Sequence, residues 1–192
     1  MSKDFKPIVP RMWQPRLVFD ILMMGMLDVK KEKHDGTFIG EFYREHLKMR
    51  NDLYIVGGEL EFALGDTELI NLFRSRLKEG GRISIIAGPE IQTDDNGSNP
   101  LIDLLEEEFL NFSLFYVDEN NASGFHFSIA GRDVLMERQH SYDTPLGYRE
   151  VHITRKSIAR RYDCVRIFID IAKRSHGLSS QQFRRLLFTD MS

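Results

Sequence analysis

Two short runs of apolar, largely β-branched residues, separated by one amphipathic segment, constrain the fold most strongly. The runs are Leu53–Leu60 (LYIVGGEL) and Arg82–Ala87 (RISIIA). Between them, Glu68–Lys78 is predicted to be a helix that is capped by Thr67 and stopped by Gly80-Gly81. A strand–helix–strand order of this length predicts two parallel strands joined by a right-handed crossover. The chain is therefore predicted to be an α/β protein.

The other periodic segments extend this unit into a mixed sheet. Further helices are predicted at Phe38–Arg50, capped by Thr37, after Asn99-Pro100, and at Ser157–Arg174. Further strands are predicted at Phe112–Val117, Phe125–Ile129, Val134–Gln139 and Glu150–Ile153. A tight turn at Gly131-Arg132 makes its two flanking strands antiparallel. The predicted fold class is α/β, with a mixed β-sheet flanked by helices.

The helix at Ser157–Arg174 has the clearest amphipathic pattern. Its predicted core face consists of Ile158, Tyr162, Val165, Ile169 and Ala172. Its predicted solvated residues are Arg160, Arg161, Arg166, Lys173 and Arg174. Cys164 lies near the apolar face and is predicted to be a core thiol rather than a nucleophile.

The length of 192 residues favours one domain. Residues 1–35 are predicted to form an N-terminal arm or strand that packs on the domain. Residues 36–176 are predicted to form the α/β domain itself. Residues 177–192 are predicted to be a C-terminal tail that could include a short helix.

Composition excludes several classes of protein and site. Apolar residues make up 42% of the chain, and there is one cysteine, so we expect a packed core, no disulfide framework, no cysteine-rich zinc site and a cytoplasmic location. The longest apolar stretch, Leu17–Leu27, contains Asp20 and is too short to span a bilayer, so no transmembrane segment is expected. The sequence lacks GxxxxGK[ST], GxGxxG, HExxH and GxSxG. We therefore predict neither a cofactor nor a metal ion.

The histidines divide into two groups. His34, His46 and His176 are predicted to be solvated, whereas His126, His140 and His152 fall on or beside consecutive predicted strands. A lone histidine in a strand is most often a hydrogen-bonded structural residue, and that interpretation stays open for His126.

The residues after His126 form a spaced pattern. The pattern is His126-x-Ser128, four residues, Asp133, six residues, then His140-Ser141-x-Asp143. It resembles the phospholipase D superfamily signature H-x-K-x4-D-x6-G-S-x-N, and the order of elements from Thr37 to Arg174 is similar to one half of that fold. His126, Asp133 and Ser141 match the signature. Ser128 replaces its lysine, His140 its glycine and Asp143 its asparagine, so the resemblance is to a degenerate half.

The resemblance implies a specific chemistry. One histidine forms a covalent phosphohistidine, and a second histidine, from a paired motif, protonates the leaving oxygen. The aspartate orients a histidine and the lysine neutralises phosphate charge. His126, Asp133 and Ser141 are thus the implied catalytic residues, and one motif per chain implies a homodimer. Ser128, Arg138, His140 and Asp143 are the implied ligand-binding residues, although Arg138 is equally explained as a surface arginine.

Charge is distributed unevenly along the chain. The formal net charge is −3, yet residues 146–192 carry ten basic and four acidic side chains. Arg155, Lys156, Arg160 and Arg161 are predicted to form a polyanion-binding surface, and a plain solvated helix face is the alternative. Glu59, Glu61 and Glu137 are predicted to be solvated carboxylates at strand ends.

Three functions are consistent with these residues. The first is a non-catalytic or weakly catalytic phospholipase D-like domain that binds a phosphate-bearing ligand, a nucleic acid or a protein partner. The second is a homodimeric phosphodiesterase or nuclease with His126 as nucleophile. The third is a structural assembly module. The loss of the lysine favours the first and third, and the retained His126, Asp133 and Ser141 favour the first two.

Overall fold

Helices and strands alternate along the first half of the chain, and four consecutive strands precede the last long helix. The computed structural model describes residues 26–33, 37–57, 66–88, 99–118, 126–138 and 148–179. Its strands are β1 (Met26–Lys33), β2 (Leu53–Gly57), β3 (Ile83–Ala87), β4 (Phe112–Tyr116), β5 (His126–Ala130), β6 (Asp133–Arg138), β7 (Tyr148–Arg155) and β8 (His176–Gly177). Its helices are α1 (Thr37–Lys48), α2 (Thr67–Lys78), α3 (Leu101–Glu106) and α4 (Ile158–Ala172).

All of these strands belong to one mixed sheet, in the order β1-β7-β6-β5-β2-β3-β4-β8. The three central strands β2, β3 and β4 are parallel, as the helical crossovers require. On the other side of β2, the strands β5, β6, β7 and β1 pair antiparallel in turn. The predicted α/β class with a mixed, helix-flanked sheet is therefore confirmed.

Helices cover both faces of the sheet. On one face, residues of α1, α2 and α3, such as Phe42 and Phe73, pack with Leu135 in one buried cluster. On the other face, residues of α4, such as Phe168, pack with Val134 in a second cluster. Val134 and Leu135 are neighbours in β6 and point to opposite faces, as the pleat of a strand dictates. Each such fully buried side chain contributes about 1.5–3 kcal/mol to folding.

Local chemistry ends the helices close to the predicted positions. The α1 helix begins at Thr37 and ends at Lys48, because Arg50 adopts a left-handed conformation with φ of 62°. The N-cap of α2 is Asp66, whose carboxylate accepts the Leu69 N–H at 2.9 Å, so the prediction of Thr67 as the cap is wrong by one residue.

The α4 helix has a different buried face from the predicted one. Cys164, Phe168 and Ile171 face the sheet, whereas Ile158 (59% exposed) and Tyr162 (63% exposed) point to solvent. Apolar residues occur on both sides of this helix, so periodicity alone did not identify the buried side. The prediction of Cys164 as a core thiol is confirmed, and burial raises its pKa.

The outer strands join sequence-distant segments to the sheet. Strand β7 is longer than the predicted Glu150–Ile153, and its full length pairs with β1 from the N-terminal region. At the other edge, the two-residue strand β8 pairs with β4. The division of the chain at residues 35 and 176 stays a prediction. Among the described residues, no helix is long and apolar enough to cross a membrane.

Candidate functional site

His126 opens strand β5 at the edge of the sheet where the parallel strands end. Val56, near the end of β2, pairs with Phe127, so His126 lies beside the carboxyl end of β2. In open α/β sheets, ligands bind at the carboxyl ends of the strands. Residues 58–65, 89–98, 119–125 and 139–147 lie outside the described residues.

Glu137 faces His126 across the β5–β6 hairpin. The two residues are register partners, and the His126 Nδ1 atom lies 4.0 Å from a Glu137 carboxylate oxygen. Both side chains are largely shielded, with 17% and 14% exposure. At this separation the carboxylate lies beside the ring nitrogen without a hydrogen bond between the two. The prediction that Glu137 is a solvated carboxylate is therefore wrong. His126 and Glu137 are equally far from the Gly131-Arg132 turn in sequence, and this spacing could have predicted that they face each other.

Ser128 occupies the lysine position of the signature, and it lies in the core. Its side chain is 1% exposed, and its hydroxyl is 2.7 Å from the hydroxyl of Tyr43 in α1. Tyr43 is itself 1% exposed, so α1 closes the space above Ser128. The prediction of Ser128 as a ligand-binding residue conflicts with this burial, because a ligand at the surface does not reach it.

Asp133 lies at the opposite end of the hairpin from His126. It pairs with Ala130, four residues along β5 from His126, a separation of about 13 Å at 3.3 Å per residue. Its carboxylate accepts the Lys156 N–H at 2.8 Å and an Arg155 N–H at 3.1 Å. Asp133 is therefore too far from His126 to orient its ring, as the resemblance implied, because the strand holds the two side chains apart.

The histidine that Asp133 faces is His46 of α1. His46 is 2% exposed, so the prediction that it is solvated is wrong. Its Nδ1 atom is 2.9 Å from the Asn51 side-chain nitrogen, which only donates, so the neutral ring carries its proton on Nε2. Nε2 is 3.6 Å from Asp133 and has no hydrogen-bond partner among the described residues. Burial lowers the pKa of His46, although Asp133 and Glu45 act in the opposite direction.

Arg155 belongs to this same ion-pair cluster. Its guanidinium donates to both oxygens of Glu45, at 3.0 and 3.1 Å, and also to Asp133. Hydrogen bonding to Glu45 raises its pKa further. Two carboxylates occupy this guanidinium, so its predicted role in binding a polyanion conflicts with the structure.

The other predicted cationic residues lie at the surface. Lys156, Arg160 and Arg161 are exposed, and Arg161 donates from Nε to the Gly131 carbonyl at 2.7 Å. Arg160 lines a cavity of about 280 Å³ together with Met136, Glu137 and His152. Met136 and His152 are register partners on the α4 face of the sheet, whereas Glu137 and His126 alternate onto the α1 face. The cavity includes one guanidinium and one imidazole, and it lies mainly on the face opposite the His126–Glu137 pair.

The remaining predicted site residues are only partly described. Arg138 is the last residue of β6 and pairs with Glu150, which places its backbone one residue beyond Glu137. His140, Ser141 and Asp143 lie outside the described residues. Within the described ranges, no group of three or more histidine, cysteine or acidic side chains could hold a metal ion.

Comparison with known proteins identifies the fold. No known family's sequence profile matches the chain, and no curated protein matches its sequence. Among solved structures, the archaeal chromatin protein TrmBL2, described as having a novel mode of DNA binding, is similar with a TM-score of 0.60 and 12% identity over 79% of this chain. The chain spans 54% of the length of that protein.

Two similar structures are of nearly the same extent as the matched region. Nuc from Salmonella typhimurium, a phospholipase D family member, has a TM-score of 0.53 at 6% identity and covers 80% of this chain and 98% of its own. NucT from Helicobacter pylori has a TM-score of 0.51 at 9% identity, with coverage of 80% and 100%. At these identities the likeness concerns the fold alone. The chain therefore has a phospholipase D-like α/β fold.

Proposed function

We propose that this chain is a phosphodiester-binding module, with nucleic acid as its ligand, in which hydrolysis is lost or severely weakened. The single observation that carries the proposal is the burial of Ser128. The signature's lysine position holds a 1% exposed serine whose hydroxyl is bound to Tyr43.

The physical reason is the charge of the transition state. Phosphodiester cleavage concentrates negative charge on the phosphate oxygens, and the family's lysine neutralises it. Losing one such donor costs about 3 kcal/mol, or about 100-fold or more in rate. Ser128 is neutral and is bonded within the core, so it does not replace that charge. Arg138 and His140 are proposed to contribute to phosphate binding, together with Ser141 and Asp143.

The chemistry at the edge of the sheet supports binding of a phosphate group. His126 beside Glu137 is a hydrogen-bond donor in its protonated form. Arg160 and His152 offer two further donors on the α4 face of the sheet, in the cavity that Glu137 also lines. The similar structures support nucleic acid as the ligand, because they include a chromatin protein with a mode of DNA binding.

A homodimer is part of the proposal. A single chain has one copy of the signature, and the family chemistry uses two. A twofold axis at the carboxyl edge would bring His126 of both copies to one groove. Light scattering at micromolar concentration should then give twice the chain mass, and a monomer would exclude the shared groove.

A second candidate function is an active homodimeric phosphodiesterase, which the His126–Glu137 pair favours. In this mechanism His126 attacks phosphorus and forms a P–N bond while the P–O bond to the leaving oxygen breaks. The histidine of the other copy gives that oxygen its proton. Water then attacks phosphorus and the P–N bond breaks. The histidine of the other copy takes a proton from that water.

Binding is tested with fluorescently labelled single-stranded and duplex oligonucleotides at low and physiological salt. His126→Ala should weaken binding about tenfold, since one charge-assisted contact is lost. The matched control is His176→Ala in β8, an exposed histidine four strands from β5, or about 19 Å at 4.8 Å per strand. If no oligonucleotide binds at low salt, nucleic acid binding is excluded and the assembly module becomes the better hypothesis.

Turnover is measured on the same oligonucleotides and on bis(p-nitrophenyl) phosphate. We expect no hydrolysis above background in the wild-type chain. Robust hydrolysis that disappears in His126→Ala and persists in His176→Ala would establish the phosphodiesterase instead.

A further inference from the structure

A second cationic cavity lies at the opposite edge of the sheet from His126. It has a volume of about 310 Å³, and three arginines line it, Arg50, Arg76 and Arg161. Its floor includes Tyr54 of β2 and Ile129 of β5, which are register partners near the amino end of β2. We call this cavity the arginine cleft. Among the described residues, it shares no lining residue with the cavity that Glu137 lines.

Neutral backbone carbonyls hold two of these arginines in place. The Nε–H of Arg161 donates to the Gly131 carbonyl at 2.7 Å, and that of Arg76 donates to the Asn51 carbonyl at 3.3 Å. A carbonyl fixes the orientation of a guanidinium without cancelling its charge. An arginine fixed in this way loses less side-chain entropy when a ligand binds.

The cleft has an excess of positive charge. Its described lining includes one carboxylate, Asp52, which accepts from Arg76 at 3.0 Å. Arg50 lies 3.6 Å from Glu79, but these side chains are 77% and 44% exposed, so that ion pair neutralises little. Three guanidinium groups therefore face one lining carboxylate. A concave surface of this kind raises the local concentration of anions.

The chemistry of the lining suits an oxyanion such as phosphate. The planar fork of a guanidinium matches two phosphate oxygens at once. The Tyr54 ring is held edge-on to Phe168, with 5.4 Å between ring centroids, which gives the floor a fixed aromatic surface. The volume is at the lower end of the range for small-ligand sites, about 300–1,000 Å³. A phosphate joined to a sugar or base fits this combination of charge, apolar floor and size.

We infer that the arginine cleft binds a backbone phosphate of a nucleic acid strand, in addition to the site at His126. The class of ligand rests on the proposed function, and the place of binding rests on the residues that line the cleft. A free mononucleotide offers the same phosphate chemistry, so the experiment separates the two sources.

The test uses labelled single-stranded and duplex oligonucleotides with Arg161→Gln and Arg50→Gln as variants. Arg161→Gln should weaken binding about tenfold, and Arg50→Gln less, because Arg50 is 77% exposed and lies 3.6 Å from Glu79. Each variant should also reduce the slope of log affinity against log salt by about 0.9 on duplex DNA. The matched control is Arg166→Gln, which removes an exposed arginine of the same helix outside the cleft.

Urea unfolding of each variant separates binding from a structural role of the Arg161–Gly131 contact. A loss of affinity at unchanged stability supports the cleft. Arg50→Gln provides a second test, because the ion pair of Arg50 is with Glu79 and does not involve the Gly131 turn. If both variants bind as Arg166→Gln does, the cleft is not a phosphate site.

Comparison with His126→Ala distinguishes failure of the cleft from failure of the proposed function. Loss in His126→Ala alone overturns the cleft and leaves the proposed function intact. Loss in Arg161→Gln alone supports the cleft and overturns the site at His126. Competition by adenosine monophosphate at the oligonucleotide's own affinity would support a phosphate site with a mononucleotide as its source. No binding of either probe at low salt overturns the inference.

Discussion

The two ends of the β5–β6 hairpin have opposite characters. At one end, His126 and Glu137 face each other at 4.0 Å beside the carboxyl end of β2, and Glu137 also lines a cavity. At the other end, Asp133 is tied to Arg155 and to the Lys156 N–H under α1. The signature residues His126 and Asp133 therefore belong to different environments, although seven positions separate them in sequence. One end is suited to a ligand, and the other fixes β6, β7 and α1 to one another.

This difference teaches that a catalytic signature can contain structural positions. Asp133, which matches the aspartate of the signature, makes structural contacts with Arg155 and with the Lys156 N–H. The position of the lysine, between the two ends, has become part of the core. Substitutions at His126 should therefore affect ligand binding, whereas substitutions a few residues further along the hairpin should affect stability.

The largest expected effect comes from Ser128→Lys. The signature suggests that this change would restore the phosphate clamp and raise activity. The structure predicts instead a loss of about 4 kcal/mol or more in stability, because a long charged side chain would enter a 1% exposed position below Tyr43. Urea unfolding measures it, with Ser113→Lys on the half-buried part of β4 as control. A folded Ser128→Lys variant that hydrolyses phosphodiesters would show that the space below α1 opens.

Asp133→Ala should follow, with a loss of about 3 kcal/mol. It removes the acceptor of the Lys156 N–H and one partner of Arg155 in a shielded place. His126→Ala should change stability by less than about 0.5 kcal/mol while it reduces ligand binding. Equal losses of stability in the two variants would contradict the contrast between the two ends.

Gly131→Ala should cost about 2 kcal/mol. Gly131 has φ of 58°, and a Cβ there would lie 2.9 Å from the Asn51 side chain. Gly80→Ala is a matched control, because Gly80 also has a positive φ (85°) but has no atom within 4 Å of a Cβ. The control should cost only the backbone strain, about 1 kcal/mol. Equal costs would mean that Asn51 moves aside freely.

The smallest expected effect is the pH dependence of stability due to His46. Burial holds the pKa of its folded form below 6.5, so the unfolded chain binds the proton more readily. Stability due to this residue is therefore complete above pH 6.5 and is lost as the pH falls through 6.5 toward the folded pKa. His46→Gln should reduce the fall in melting temperature between pH 7.5 and 5.5, whereas His176→Ala should not. An unchanged profile in His46→Gln would exclude this origin.

Much of the architecture was predictable from the sequence because its signals are local. The parallel unit around Glu68–Lys78 follows from apolar runs and turn residues. The Gly131-Arg132 turn sets the register that brings His126 opposite Glu137. The prediction of Asn99 as the cap of α3 is wrong by one residue, because Pro100 is the N-cap, although the Asn99 side chain does accept the Leu101 N–H at 3.0 Å.

The site was less predictable because burial depends on distant segments. His46 and Tyr43 lie on a helix about 85 residues before the hairpin that they cover, as the Tyr43–Ser128 bond shows. Arg155 belongs to a basic stretch, yet Glu45, 110 residues away in sequence, occupies its guanidinium. Charge counts along the chain do not show such pairings.

The sequence by itself determined the order of the elements, the parallel and antiparallel halves of the sheet, and the spacing of His126, Ser128 and Asp133. Periodicity, glycine turns and strand alternation act over a few residues, so they can be derived from a single segment. Only the tertiary structure decided that Ser128 is buried, that Asp133 and Arg155 are paired, and that α4 packs through Phe168 and Ile171. The physical reason is that desolvation and ion pairing depend on which side chains arrive from elsewhere in the chain.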